Sequence, residues 1–187
     1  MIKPLPADKP LIISMLTRSF DGNGSVNYIV RQDDKREQRI RALMEYSVAM
    51  CEIFGEVWLS DDRKACALVL YPDRQRASFR TFLLDLRLMF RAIGVGGVKK
   101  VKARKAKVAA IRPKEKMAYL WFIGVDPQHQ HAGHGSRMLQ EVLRHSADLP
   151  VYLETSMPKN LPWYQRFGFE IYDELDLGYT LYFLRRQ

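Results

Sequence analysis

The residues with the most chemical promise lie between Val125 and Ser136, in the run Val-Asp-Pro-Gln-His-Gln-His-Ala-Gly-His-Gly-Ser. Its core, Gln130-His131-Ala132-Gly133-His134-Gly135-Ser136, is a glycine-rich turn of the form Gln-x-x-Gly-x-Gly. A strand-like run, Tyr119 to Val125, feeds into it, and a helix-like run, Arg137 to His145, leaves it. A glycine turn at a helix start gathers unpaired backbone N–H groups and the positive end of the helix dipole, which together bind phosphate or pyrophosphate. A nucleotide-binding Gly-x-x-x-x-Gly-Lys-Ser/Thr loop is absent. A dinucleotide fingerprint fits poorly, because Met138 stands where its third glycine belongs, although Glu154 ends the next strand where a ribose-binding acid would sit. Ser136 has glycine on one side only, so it makes no hydrolase elbow. His129, His131 and His134 are a possible imidazole cluster, but two neighbours and a helix start converge badly on one ion. They read as turn histidines beside a phosphate, and no metal is expected.

The elements that must hold this turn can be read in chain order. Met1 to Lys3 suggests a short strand. Lys9 to Phe20 has helical spacing of its apolar residues and is broken by Asp21-Gly22-Asn23-Gly24-Ser25. A second helix, capped by Asp33 or Asp34, carries Ile40, Leu43, Met44, Val48, Cys51 and Phe54 on one face and ends at Gly55. Glu56–Ser60 and Ala65–Tyr71 form a hairpin around a polar loop. A third helix bears the apolar stripe Phe79, Phe82, Leu83, Leu86, Met89, Phe90 and Ile93, and Gly94, Gly96 and Gly97 interrupt it. Val98 to Lys116 is the most basic segment, with nine Lys and Arg against Glu115. It reads as a solvated helix face over Val98, Val101 and Val108 rather than a nucleic-acid arm, because no aromatics interleave with the charges. Met117–Val125 is the central buried strand, and Met138, Leu139, Val142 and Leu143 face inward from the next helix. Val151–Thr155 is a strand. Pro162 starts a short helix that Gly168 stops, and strands Phe169–Leu175 and Gly178–Leu184 close the chain. Interleaved strands and helices with hairpins at both ends imply an α/β (α+β) fold, a mixed sheet with helices on its faces.

Composition sets the bounds. At 187 residues, with 47% hydrophobic and 27% charged, the chain reads as one soluble globular domain. No apolar run is long enough to span a membrane, and the proline-broken start is no signal peptide, so a cytoplasmic protein with no membrane partner is expected. The Asn23-Gly24-Ser25 sequon is then irrelevant, and Cys51 and Cys66 are two reduced thiols. A net charge of +9 attracts polyanions in general, phosphorylated cofactors among them.

The spacing Val125-x-Pro127-x-x-Gln130-x-x-Gly133-x-Gly135-Ser136 resembles the acetyl-CoA motif of the GNAT acetyltransferases. Asn160…Tyr164…Phe167-Gly168-Phe169 resembles the last motif of that superfamily. Within it, Ile111 to Ile171 is similar to the puromycin N-acetyltransferases, through Arg112-Pro113-Lys114-Glu115 and Leu153-Glu154-Thr155-Ser156-x-Pro158-x-Asn160-Leu161-Pro162-x-Tyr164. The resemblance implies a mixed, largely antiparallel central sheet flanked by helices. It implies acetyl-CoA as acyl donor, with no metal. Gln130, His131, Ala132, Gly133, His134, Gly135 and Ser136 would hold the pyrophosphate, and Ile123 and Val125 would hold the pantetheine arm and the thioester carbonyl. Asn160 would touch the cofactor arm. Tyr164 takes the family's general-acid position; reference thiol and phenol pKa values differ by only about 1.5 units, so a tyrosine can protonate a leaving thiolate. Glu154, at the end of the neighbouring strand, is the candidate base. Ala132 departs from the pattern, since related turns carry Lys or Arg there; His131, His134 or Arg137 are the available substitutes.

These readings divide the chain into a variable, acceptor-side half, residues 1–116, and an acetyl-CoA half, residues 117–187. The expected activity is N-acetylation of the primary amine of a small molecule by direct attack in a ternary complex. A non-catalytic acyl-CoA-binding module, a protein N-acetyltransferase and, more remotely, a nucleic-acid-binding protein remain open. So do the acceptor and the choice between monomer and homodimer.

Overall fold

The computed structural model describes residues 1–187. Seven α-helices and six strands follow in this order: α1 (Lys9–Ser19), α2 (Gly24–Ile29), α3 (Arg36–Phe54), β1 (Gly55–Leu59), β2 (Ala65–Leu70), α4 (Phe79–Leu88), α5 (Val98–Ile111), β3 (Ala118–Val125), α6 (His134–His145), β4 (Val151–Thr155), α7 (Leu161–Gln165), β5 (Glu170–Asp176) and β6 (Thr180–Arg186). A π-helical turn, Met89–Ile93, extends α4. The strands form one sheet in the order β1-β2-β3-β4-β6-β5. Every neighbouring pair is antiparallel except β3 and β4, which α6 joins by a crossover. The expected mixed, largely antiparallel sheet is therefore present. No helix is long and apolar enough to cross a membrane.

Two apolar cores sandwich the sheet. On one face α1 and α3 bury Leu16, Ile40, Met44 and Cys51 against Leu68, Tyr119, Phe122 and Tyr152. On the other, α6 buries Met138, Leu139 and Val142 against Ala67, Leu120 and Leu153, joined by Tyr164 and Phe169 from the α7 region. Alternation along β3 is broken once. Leu68 pairs with Phe122 and Val69 with Leu120, so Trp121 is an extra residue, a β-bulge. Tyr119 faces the α1/α3 core and Leu120 the α6 core; beyond the bulge Phe122 faces α1/α3 while Ile123 and Val125 face α6.

The pairing of β3 with β4 is short. Ala118 meets Val151 and Tyr119 meets Tyr152, and the ladder stops there. The last six residues of β3 and the end of β4 diverge. A sheet that opens at its centre exposes backbone donors and acceptors on the facing edges, which need partners from elsewhere.

The structure also redraws parts of the sequence reading. Met1–Lys3 contributes a single bridge, Ile2 to Leu59, rather than a strand. The Asp21–Ser25 break contains a helix start, because the Asn23 side chain accepts from Val26 N–H at 3.1 Å and caps α2. Most of the apolar stripe on α4 does not face the core, although its last residue, Ile93, does. Phe79, Phe82, Leu83 and Phe90 are exposed, while Thr81, Ala92 and Ile93 are buried. Periodicity shows that a helix has an apolar face, but it does not say which side the sheet lies on.

The first strand crosses close to its neighbour at Gly55, where an added Cβ would lie 2.0 Å from the Val69 carbonyl oxygen. Gly55→Ala is expected to destabilise the fold by about 2 kcal/mol or more, since the obstruction is backbone and cannot swing aside. A urea midpoint unchanged from wild type would contradict the β1–β2 packing described here.

Candidate active site

The glycine turn folds as its composition demands. Gly133 adopts φ +79° as the N-cap of α6, and His131 adopts φ +64°. Left-handed residues of this kind tighten the chain and can aim successive backbone N–H groups to one side. From Gln130 to Ser136 no backbone N–H donates within the protein; the first bond of the helix is Arg137 N–H to the Gly133 carbonyl, 3.0 Å. Seven consecutive donors at the positive end of a twelve-residue helix make a strong anion cradle. Gly135 must be small for packing, since a Cβ there would sit 3.2 Å from Val125 Cγ2 and 3.7 Å from the Trp163 ring. Ser136 does not face the cradle with a free hydroxyl. Its Oγ accepts from Trp163 Nε1 at 3.0 Å, which ties the start of α6 to α7.

The histidines separate. His131 is exposed. His134 is buried, with Nδ1 3.0 Å from the Asp62 carboxylate and 3.0 Å from Arg137 Nη2, and it serves one partner at a time. His129 stands edge-on to His134 at 6.2 Å. No three His, Cys, Asp or Glu side chains converge as a metal site. Ala132 is exposed and offers only its backbone, so Arg137, with the exposed His131 beside it, is the nearest basic side chain in sequence to the cradle. Cys51 and Cys66 lie in the core, and burial pushes the Cys66 thiol up to about 12, which removes it as a nucleophile.

The cradle opens onto the splayed edge of β3. Asp126 N–H donates to the Lys64 carbonyl at 2.9 Å, on the β2 side. Successive strand N–H groups alternate between edges, so those of Val125 and Ile123 face the β4 side, where the ladder has already ended. The end of β3 is held firmly by α1. Ser19 Oγ donates to the Val125 carbonyl at 2.7 Å, and Arg18 pairs with Asp126 at 2.8 Å. Gly124 lets α1 approach, since a Cβ there would meet Leu16 Cδ2 at 2.9 Å.

Tyr164 and Glu154 lie on opposite faces of the sheet. Tyr164, 7% exposed, packs in the α6-side core against Trp163 and Phe169, with ring centroids at 4.7 and 5.7 Å. Burial raises its phenol pKa well above 10, so it stays protonated through the neutral range. Asn160, at the N-cap of α7, makes no side-chain hydrogen bond within the protein. Glu154 alternates with Leu153 and shares the face of Tyr152, on the α1/α3 side. Its carboxylate, in a side chain 8% exposed, accepts from Arg112 Nη2 at 2.6 Å. Arg112 in turn stacks over Tyr119 at 4.1 Å. Burial first, and Glu154 second, push the Tyr119 phenol far up.

Arg112 was not singled out in the sequence as a site residue. It lay within a basic run, and only its adjacency to Pro113, at the end of α5, distinguishes it. Arg104 was hidden likewise; it donates to Ser25 Oγ at 2.6 Å and to the Tyr179 hydroxyl at 3.1 Å. Ser25 N–H reaches Ser156 Oγ at 3.0 Å. These contacts pin α2, α5 and the β5–β6 turn together beside the end of β4.

Comparisons with known proteins agree with this architecture. The family model described as acetyltransferase (GNAT) family matches residues 47–169. The chain is similar in fold to the histone acetyltransferase HPA2 and related acetyltransferase of Corynebacterium glutamicum. The TM-score is 0.71 at 18% identity, over 99% of this chain and 93% of that one. It is similar also to arylalkylamine N-acetyltransferase 2 of Aedes aegypti (TM-score 0.65, 13% identity, 99% and 96% covered). An N-acetyltransferase of Staphylococcus aureus matches at TM-score 0.59 and 13% identity, with 99% of each chain covered.

The cradle yields a test that separates strain from contact. A Cβ at Gly133 meets nothing within 4 Å, so the cost of replacing it is conformational. Gly133→Ala is expected to weaken acetyl-CoA binding about tenfold by calorimetry, and Gly133→Asn to recover much of that loss, since asparagine tolerates the left-handed region. Equal affinities for all three proteins would show that the cradle does not depend on this turn.

Proposed function

We propose, from the premise that the chain belongs to the acetyltransferase (GNAT) family, that it moves an acetyl group from acetyl-CoA to the primary amine of a small molecule in the cytoplasm. The observation that carries this reading is the run of seven unpaired N–H groups from Gln130 to Ser136 leading directly into the opened β3 edge. A phosphate-binding turn continuous with a free strand edge suits a ligand that is a pyrophosphate at one end and an extended amide chain at the other. Acetyl-CoA has that shape.

In this reading the Gln130–Ser136 amides bind the pyrophosphate, with His131 or Arg137 in place of the cation that Ala132 lacks. The N–H groups of Ile123 and Val125 receive the pantetheine amide and the thioester carbonyl, and Asn160 steadies the arm from α7. The neutral amine attacks the carbonyl carbon, and a backbone N–H already fixed in place stabilises the tetrahedral oxyanion. As the intermediate collapses the carbon–sulfur bond breaks, and Tyr164 gives its proton to the departing thiolate. The ammonium proton leaves toward Glu154, directly or through water. Arg112 holds the Glu154 carboxylate in place for this task through a 2.6 Å hydrogen bond to one oxygen. Placing acid and base on opposite faces suits a ternary complex in which donor and acceptor enter from the two sides of one sheet.

The acceptor side is the α2–α5–β5/β6 corner around Ser25, Arg104 and Tyr179. The likeness of Ile111–Ile171 to puromycin N-acetyltransferases, and the arylalkylamine acceptor in the name of one structural neighbour, place aminonucleosides and arylalkylamines first in a screen. The net charge of +9 disfavours polyamines. Glu154's ion pair with Arg112 also favours a second reading, an acyl-CoA-binding module in which that pair is purely structural.

Two variants decide the matter, with thiol release followed across an amine panel. Tyr164→Phe is expected to lower kcat about 100-fold while the KM for acetyl-CoA stays within about threefold. Glu154→Gln is expected to lose activity at neutral pH and regain it as pH rises toward the acceptor's own pKa, where the amine deprotonates unaided. Tight acetyl-CoA binding without transfer to any amine would establish the binding-module reading instead.

A further inference from the structure

The outward face of α4 has no role in the site just described, and its composition is unusual. Phe79, Phe82, Leu83 and Phe90 are 77, 56, 44 and 61% exposed, and Leu86 lies between them on the same face. The opposite side is the one that packs. There Thr81 and Ala92 are buried, and Asp85 accepts from the Tyr46 hydroxyl at 2.9 Å. The stripe is a ridge rather than one wall of a groove. Isolated exposed apolar residues need no explanation, but three aromatic rings and two leucines on one ridge do.

Charge completes the pattern. From Arg74 to Lys107 the chain has eleven Lys and Arg and a single acid, Asp85, a net of +10. The whole protein carries +9, so the other residues together come to −1. Five of the eleven, Arg74 to Arg91, lie on or just before the helix that bears the apolar ridge, and the other six are on α5. Arg76, Arg80 and Arg87 are exposed, and of the four arginines from Arg76 to Arg91 only Arg91 holds an acid, Glu45, at 2.8 Å. On the helix, Arg80 and Arg87 are seven residues apart and flank the Phe79–Leu83–Phe90 line on one side.

We propose that α4 is a docking face for an anionic lipid surface. Phe79, Phe82, Leu83 and Phe90 enter the headgroup–acyl boundary while Arg76, Arg80 and Arg87 meet the lipid phosphates. An apolar stripe with a basic flank is the pattern by which helices lie in a membrane interface, and a fluid surface conforms to a ridge without a matching groove. A second copy of this chain fits worse, since pairing these faces would bring the exposed Arg76, Arg80 and Arg87 of each copy together. A nucleic acid would meet the arginines but leave the leucines and most of the phenylalanine area uncovered. The protein would thus rest on a membrane without crossing it, with α3 between the docking helix and the sheet.

Vesicle co-sedimentation tests this, using phosphatidylcholine with and without about 30 mol % phosphatidylglycerol at about 0.1 M salt. The wild-type protein is expected to bind the anionic vesicles and to be released by high salt. Phe79→Ser/Phe82→Ser/Phe90→Ser, and separately Arg80→Glu/Arg87→Glu, are expected to partition at least about tenfold less, with unchanged circular dichroism and acetyl-CoA affinity. An environment-sensitive dye on Phe79→Cys is expected to shift to the blue on anionic vesicles only. Failure of the wild type to sediment, equal sedimentation of the serine variant, or an unshifted dye would each overturn the proposal. So would tight binding to single-stranded RNA or polyglutamate that the serine variant keeps in full, because the charge would then serve another partner.

Discussion

The structure depends on a pairing that fails after two residues. β3 and β4 are joined at Ala118–Val151 and Tyr119–Tyr152 and then separate. Backbone hydrogen bonds left unmade inside a protein are costly, so an opened ladder persists only where something else holds the two strands apart or supplies partners. Here the neighbours do the holding. β2 grips the far edge of β3 through an otherwise regular antiparallel ladder, α1 clamps its end through Ser19 and Arg18, and β6 secures β4 over its whole length. The bulge at Trp121 matters to the same end. It turns Ile123 and Val125 toward α6, so the free stretch of β3 and the anion cradle lie on one side of the sheet.

From that opening the division of labour follows. The α6 side holds groups suited to a phosphorylated donor: the amide cradle, the Trp163–Ser136 tie and the buried phenol of Tyr164. The α1/α3 side holds a buried ion pair, Arg112 with Glu154, and the stacked ring of Tyr119. A buried ion pair is a weak source of stability, because desolvation offsets much of its attraction. Its persistence beside an opened sheet edge is better understood as positional. Arg112 is itself immobilised by Tyr119, and it fixes Glu154 at the point where β4 leaves β3.

How much of this could be read from the amino-acid sequence varied with the kind of information each residue carried. The turn from Gln130 to Ser136 was legible, since glycine spacing at a helix start has one dominant physical meaning. Tyr164, Asn160 and Glu154 were proposed as site residues by likeness of motif, and the sequence did not show that Tyr164 and Glu154 lie on opposite faces. Glu154's face follows from parity along β4 and Tyr164's from the packing of α7, while the faces of Ile123 and Val125 depend on one inserted residue, Trp121, whose extra place in the ladder no local pattern announces. Arg112 and Arg104 were lost among seven other Lys and Arg of the basic segment, because tertiary partners such as Glu154, Ser25 and Tyr179 are 42, 79 and 75 residues away. α2 was missed for a related reason: the Asn-Gly-Ser that signals a break also supplies a capping side chain.

The α4 face shows the limit most clearly. Its apolar period was read correctly, but the sequence did not say which side the stripe faces. A hydrophobic stripe on a helix states that the helix needs an apolar neighbour; within one chain that neighbour is usually the core, and here α3 and the sheet are already served by α4's other side. The arginines flanking the stripe were the discriminating feature. A helix face destined for a core seldom has unpaired guanidinium groups along its border, since burial would strip their water without supplying an acid. Stripe and charge together point outward, with the exposed Arg76, Arg80 and Arg87 bordering the stripe and none of them holding an acid.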